Sequence, residues 1–441
     1  MSVPADLNAP TRAARLDALR GHLEANTDSI RDVPFSDEVN NHVHTAYSFS
    51  PYSPTAAAWM ARSAGLRAVG SVDHDSIAAA TETLQACRMI GIGGTVGCEI
   101  RVNFTGTAVE GRSINNPDSP NLAYIVFHGV PTTRIDEVDG FLAPVRRRRN
   151  ERNARQTRAM SDLLEAVGAP PVSFSDVTSA SLAAEGGGIT ERHILYAASR
   201  SLMEWMQPGL ALRRFVEEQL SGPLPDRLRT FLDDAHNPHY VYDLLGALKS
   251  SFLPVFFEQP SEDECIPVAE AVAFANSIEA ISAYAYLGDI ADSPTGDKKA
   301  ATFEDAYLDE LFDELERLGF RAVTYMPPRN TLAQLRRVQE LCRTHGLMEI
   351  SGVDINSSRQ AFTCEEILRP EFRHLIDATW ALIAHEKLAT VSPQYSLFSA
   401  ESPVSGDLFS RIETYARIGR AIDPHHPEAV PSAAAGIASF G

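Results

Sequence analysis

Short apolar, β-branched runs alternate with amphipathic stretches along most of this chain. Runs near Val39–His44, Arg67–Val72, Thr95–Val102, Leu122–Val130, Ala280–Tyr286, Arg321–Met326 and Leu347–Val353 read as seven strands. Between most of them, apolar positions at helical spacing predict helices over Ser53–Gly65, Ala78–Ile90, Glu262–Asn276, Phe303–Gly319 and Thr331–Gly346. Such alternation implies parallel strands joined by helical crossovers, hence a barrel or an open α/β sheet. In a barrel, chemistry gathers where strands end and the following loops begin. His42, His44, His74 and Asp354 sit at such ends, Glu99 lies inside its strand, and His128 falls near the end of the next.

Three segments depart from this rhythm. Residues 1–37 form a polar lead-in with one helix, Thr11–Ala25. Residues 131–252 are mostly helical, with an arginine-rich start and a Gly186-Gly187-Gly188 hinge, and read as an insertion within a barrel spanning 38–390. The tail, 391–441, is rich in Ser, Pro and Ala, ends in a Ser432–Gly436 run of small residues, and reads as loosely ordered.

At 441 residues the chain can hold one large barrel or two to three ordinary domains. Its net charge of -19 argues against nonspecific binding to nucleic acid or to an anionic membrane. The same charge would repel a phosphorylated substrate unless metals or local arginines reverse the potential. Five cysteines without CxxC spacing suggest neither a thiolate zinc site nor a disulfide framework, and point to a reducing cytoplasm. No apolar run approaches the roughly 18 residues that span a bilayer, and the N-terminus lacks a signal-peptide pattern. The expected partner is a small-molecule substrate.

The candidate chemistry lies in Asn41-His42-Val43-His44-Thr45, Ser71-Val72-Asp73-His74-Asp75 and Gly97-Cys98-Glu99-Ile100. A His-x-His pair on a strand points both rings to one face, because strand side chains repeat every two residues. Imidazole and carboxylate together suit divalent transition metals such as Mn, Fe and Zn.

The run His42-Val43-His44-Thr45-Ala46-Tyr47-Ser48, Pro54, Gly65-Leu66, Asp73-His74-Asp75 and Gly97-Cys98-Glu99-Ile100 resembles the opening motifs of the PHP (polymerase and histidinol phosphatase) domain in order and spacing. The close match covers residues 40–104, and weaker correspondences continue to about residue 357. The resemblance implies a distorted seven-stranded TIM-like (β/α)7 barrel, in accord with the seven strands counted above. It also implies two or three divalent metals that hydrolyse phosphate esters through an activated water. On this match His42, His44, His74 and Glu99 correspond to metal ligands, with Glu99 a bridge between ions. His128 falls where the family carries a fourth-strand histidine, and His193 in Glu191-Arg192-His193-Ile194 resembles an Arg-Pro-His-Ile segment, with Arg192 in place of the proline. The other reading of both is a buried histidine satisfied by backbone. Asp354 fits the final Gly-Ser-Asp-x-His motif and is expected to bind metal.

The chain also departs from the pattern. Ala285-Tyr286-Leu287 stands where the family has Ala-His-Pro, Asn356 stands where the last motif ends in histidine, and the usual donor a few residues after HxHT is missing. One metal position is lost, leaving one or two ions, or Asp289 replaces the donor at Tyr286, or the site is a relic. Two ions are the preferred expectation, with one or three as alternatives. Asp73, Asp289, Asn356 and Tyr286 are candidates for direct or supporting roles.

Arg146–Arg149, continued by Arg152, Arg155 and Arg158, is the dense basic run of an acidic chain. It reads either as a solvated face or as a clamp for a substrate phosphate, for which Arg152 and Arg155 are the choices. His236 and His239 read as a surface loop, and His345 and His385 as structural. The leading expectation is a metal-dependent phosphoesterase acting on a small phosphorylated metabolite. The alternatives are a hydrolase of an amide or cyclic substrate and a non-catalytic metal- or ligand-binding protein.

Overall fold

The computed structural model describes residues 3–25, 30–116, 119–261, 264–289 and 302–430. The seven expected strands form as β1 (Val39–Val43), β2 (Ala68–His74), β3 (Gly93–Asn103) and β4 (Leu122–His128), then, after a two-residue β5 (Ile266–Pro267), as β6 (Ile281–Ala285), β7 (Ala322–Tyr325) and β8 (Met348–Ser351). Their order is β1-β2-β3-β4-β6-β7-β8, with β5 beside β3. The ring is nearly closed: the His44 amide donates to the Ile355 carbonyl at 3.0 Å, and the Ile355 amide returns to His42 at 3.1 Å. At this seam a Cβ on Gly352 would lie 2.5 Å from both the His42 amide nitrogen and its Cβ, so glycine lets the last strand approach the first histidine. The result is a distorted TIM-like α/β barrel. Strand β3 is buried at every position but its last, as a strand covered on both faces must be.

One expectation fails. The strands are not all parallel, because β4 runs antiparallel to both β3 and β6. The cause is the connection: the described residues of 104–121 contain no helix, and a chain that does not cross back over the sheet pairs antiparallel. The end of β4 therefore points toward the opposite rim from the ends of β1, β2 and β3. His128 lies across from Gly97, whose missing Cβ leaves room for the Phe127 carbonyl.

The insertion contains the helices Ile135–Ala166, Phe174–Ser179, Glu191–Trp205, Leu210–Phe215, Asp226–Asp233 and Tyr240–Phe256. They bury their own cluster, which includes Met160, Leu164, Ile194, Leu195, Leu244 and Leu248. The lead-in helix Arg12–Ala25 docks on the barrel through buried Leu19 and Arg15. The expectation of a loose tail is also corrected, because helix Leu408–Ala421 buries Tyr415, Ala416 and Ile418 against helix His374–Val391. The Ser432–Gly436 run and the first two residues of the expected helix Glu262–Asn276 lie outside the described residues; the helix there is Val268–Ser277. Among the described residues no helix is long and apolar enough to cross a membrane.

Candidate metal centre

Strand β1 delivers His42 and His44 to one face, with ring centroids 5.1 Å apart. The turn that follows is built on Asp73. Its carboxylate accepts the Thr45 amide and the Thr45 hydroxyl, each at 2.6 Å, and the Ser48 hydroxyl at 2.7 Å. Because Ser48 donates to Asp73, its oxygen is left to accept from His44 Nδ1, 3.3 Å away. That chain fixes the His44 tautomer and leaves the Nε2 lone pair facing the barrel mouth. Asp73 is thus saturated by the turn and acts through His44.

Strands β2 and β3 bring the next donors. His74 stacks on His44 at 4.5 Å, and its Nδ1 lies 2.9 Å from Glu99 Oε2. The two oxygens of Glu99 face different partners: Oε1 is 3.7 Å from His42 Nε2, and Oε2 is 3.7 Å from His44 Nε2. From beyond β8, Asp354 Oδ1 reaches to 3.4 Å of His44 Nε2, and Asn356 Nδ2 steadies the same oxygen at 2.7 Å. Two triads of donors result, His42–His44–Asp354 and His44–His74–Glu99.

Burial decides the protonation of this cluster. It pushes His44 down to about 3, with help from neighbouring His74, and pushes His128 down to about 3, with help from His42. At His74 burial acts the same way, but the Glu99 charge outweighs it and the imidazole is raised. Burial would raise Glu99, yet His74, His42 and His44 together hold it well below the usual carboxylate range. His128 Nε2 is buried with no hydrogen-bond partner. Ligands about 2.0–2.2 Å from one ion stand roughly 3.0–3.5 Å from one another, close to the 2.9–3.7 Å separations seen here. Imidazoles that burial keeps neutral at His44 and His128, an ionised Glu99 and the unsatisfied ring nitrogen of His128 form a donor set that fits a divalent transition-metal ion.

The cluster opens into a cavity of 250 Å³ that Tyr286, Asn356, Tyr124, Arg149, Glu191 and Arg192 also line. Several expected residues are engaged elsewhere. His193 stands at the start of helix Glu191–Trp205, where its Nδ1 accepts the Thr190 amide at 3.0 Å and its ring meets Phe49 edge-on; it joins neither triad. Asp289 Oδ1 accepts the Phe303 amide at 2.7 Å and is pinned in its own loop. The Tyr286 hydroxyl donates to Asp305 at 2.7 Å. Arg152 is buried against Glu264 at 2.5 and 2.7 Å, and half-exposed Arg155 pairs with Glu258 at 2.9 Å, so neither faces the cavity.

The arginine that does face it, Arg149, lies one turn earlier and is ion-paired to Asp75. Positions three apart drift around a helix, so a four-arginine stripe cannot keep one side to the site. Asp75, in the Asp73-His74-Asp75 motif, was the available signal for Arg149. Glu191 and Arg192, directly before His193, line the cavity in its place. His385, read as structural, is held between the Glu279 carbonyl at 2.8 Å and the Leu397 amide at 3.0 Å.

No protein-family model and no curated protein matches the chain. Among solved structures, a protein from Bifidobacterium adolescentis provisionally described as a metal-dependent phosphoesterase aligns at 16% identity and a TM-score of 0.49, over 76% of this chain and 96% of that one. An amidohydrolase from Chromobacterium violaceum, solved with bound sulfate and no metal, aligns at 17% identity and a TM-score of 0.46, over 77% and 95%.

Proposed function

We propose that the chain is a divergent PHP-type, metal-dependent hydrolase whose best-furnished position holds one divalent ion on His42, His44, Glu99 and Asp354. The observation that carries this reading is the approach of these donors around His44, whose Nε2 stands 3.7 Å from Glu99 Oε2 and 3.4 Å from Asp354 Oδ1, while His42 Nε2 stands 3.7 Å from Glu99 Oε1. His44 has a single free lone pair, so it serves one of the two triads, not both. His74, Glu99 and the orphaned nitrogen of His128 would hold a second ion. Asp289, pinned in its loop, does not compensate for Tyr286. One ion is therefore held tightly and a second more weakly; Mn, Fe and Zn all suit such nitrogen and oxygen donors.

Bound ions would supply Lewis acidity, drawing the pKa of water toward about 7 and neutralising charge that builds on the substrate. The chain's own groups do the positioning. Ser48 and Asp73 hold His44 in the ligating tautomer, and Asn356 holds Asp354. Arg149, fixed by Asp75, stands on the cavity wall.

Charge counting ranks the substrates. Glu99 and Asp354 bring two negative charges, so one divalent ion leaves the centre neutral and two leave it at plus two. A phosphate monoester dianion complements the doubly loaded centre, and an amide or cyclic amide complements the singly loaded one. We read the protein as a phosphoesterase acting on a small phosphorylated metabolite when doubly loaded; the amide reading stays attached to the single ion, which the altered late donors favour.

The test is metal analysis with activity titration. Protein loaded with one and then two equivalents of Mn, Fe or Zn is assayed on phosphomonoesters, phosphodiesters and amides. Phosphatase turnover that rises with the second equivalent and vanishes in Glu99→Ala supports the reading. Stoichiometric metal with no turnover on any class would defeat it, and less than one ion per chain would favour a non-catalytic protein.

A further inference from the structure

Two arginines line the cavity, and they differ in how they are used. Arg149 is buried, with one terminal nitrogen on Asp75 and the other 3.9 Å from Glu191. Arg192 is half-buried and makes no hydrogen bond or ion pair with any described residue, although it lies in the electrostatic field of Glu191 beside it in sequence. Glu191 is turned toward Arg149, which leaves the five N–H donors of Arg192 without an acceptor among the described residues. A guanidinium drawn partly out of water and left without a partner costs stability unless something else meets it.

The geometry points to Arg192 as a handle for a second anionic group of the substrate, a carboxylate or phosphate distant from the group that reacts at His42, His44, Glu99 and Asp354. The inference rests on the hydrolase reading of that cluster. A planar fork of donors suits bidentate contact with an oxyanion. The cavity is compact, at 250 Å³ below the roughly 300 Å³ at which ligand pockets usually begin, so the two groups sit a few bonds apart. Phe49, Leu287 and Met326 line the same cavity and suit a short apolar spacer between them.

Binding, rather than turnover, tests this. Calorimetry on metal-loaded protein compares ω-carboxyalkylphosphonates of two to four carbons with alkylphosphonates of equal length. The same comparison is made for N-acetyl amino acids against N-acetyl amines, which covers an amide-type centre. We expect the carboxylate to tighten binding at least tenfold in one series, at one preferred length. Arg192→Ala abolishes that gain while leaving the affinity of the carboxylate-free partner and the metal content unchanged, and Arg192→Lys retains part of it. The inference is overturned if no length in either series shows the gain, or if Arg192→Ala weakens both members of each pair equally. Failure of the phosphonates alone, with the gain present among the N-acetyl compounds, rejects the phosphoesterase reading and keeps the handle.

Discussion

Arg15, in the lead-in helix, and Glu82, on the barrel, form an ion pair in which both side chains are essentially out of water. Glu82 accepts Arg15 Nε at 2.8 Å and Nη2 at 2.6 Å, and also the Thr55 hydroxyl at 2.7 Å and the Thr55 amide at 3.2 Å. Arg15→Met keeps the apolar stem but strands a buried carboxylate with Thr55 alone, a loss of about 3–5 kcal/mol. Glu82→Gln costs less, because Arg15 retains the Ala9 carbonyl at 3.0 Å and lies 3.6 Å from Glu185. The double variant removes both charges and keeps an acceptor for Thr55, so it recovers to within about 1–2 kcal/mol of the parent. Urea unfolding of all four proteins in chelator, which removes any stabilisation by bound metal, gives the coupling energy directly. A coupling below about 0.5 kcal/mol would refute the account, as would an Arg15→Met loss under 1 kcal/mol. The pair also bears on the site. Arg15 Nη2 lies 3.5 Å from the Tyr47 hydroxyl, three residues past His44, yet the turn itself hangs on Asp73. Arg15→Met should therefore lower stability without changing metal stoichiometry.

Three further outcomes are expected. If ion at a hundred times its Kd stabilises the parent by about 2.7 kcal/mol, a hundredfold weakening in Glu99→Gln leaves about 0.4 kcal/mol, read as the difference between melts with and without metal; an unchanged difference would exclude Glu99 as a ligand. Asn356→Ala, which frees Asp354, should weaken metal binding about 10–100-fold, whereas Asp289→Ala should leave it unchanged, and equilibrium dialysis separates the two. Burial raises the Glu304 carboxyl to about 7 despite the Tyr284 hydroxyl and the Leu287 and Gly288 amides that donate to it. The folded state then holds a proton that the unfolded chain has released, so stability falls as pH rises from about 4.5 to 7, by roughly 3 kcal/mol. That slope should disappear in Glu304→Gln, and an unfolding-energy difference between parent and variant that stays constant over this range would show that Glu304 is ionised throughout.

Strand existence was legible because each strand carries its own apolar run, while strand direction was not. The apolar run of β4 is compatible with either orientation, and only the connection 104–121, helix-free in its described residues, selects the antiparallel one. Counting strands without weighing their connections therefore makes the barrel too regular. The tail misleads for a related reason. Its Ser and Pro content hides a helix, Leu408–Ala421, whose burial of Tyr415 and Ile418 compensates for weak local preference.

The site divides along the same line. His42, His74 and Glu99 sit on β1, β2 and β3 and His44 directly follows β1, where alternation dictates which way a side chain points, so residue type and spacing sufficed to group them. His193, Asp289, Arg152 and Arg155 lie in a loop or in the insertion, where a neighbouring partner decides orientation: Thr190 captures the first, Phe303 the second, and Glu264 and Glu258 the two arginines. Thr190 caps the helix three residues before His193, whereas the other partners lie between 14 and 112 positions away, beyond any local pattern. The distinction orders the ions as well. In the proposed centre the first position draws on strand residues and Asp354, while the second depends on His74, a shared carboxylate and His128 on the reversed strand. A centre assembled in this way should gain its first ion from the fold and its second from the solution around it, so the metal supply would select between neutral and dianionic substrates.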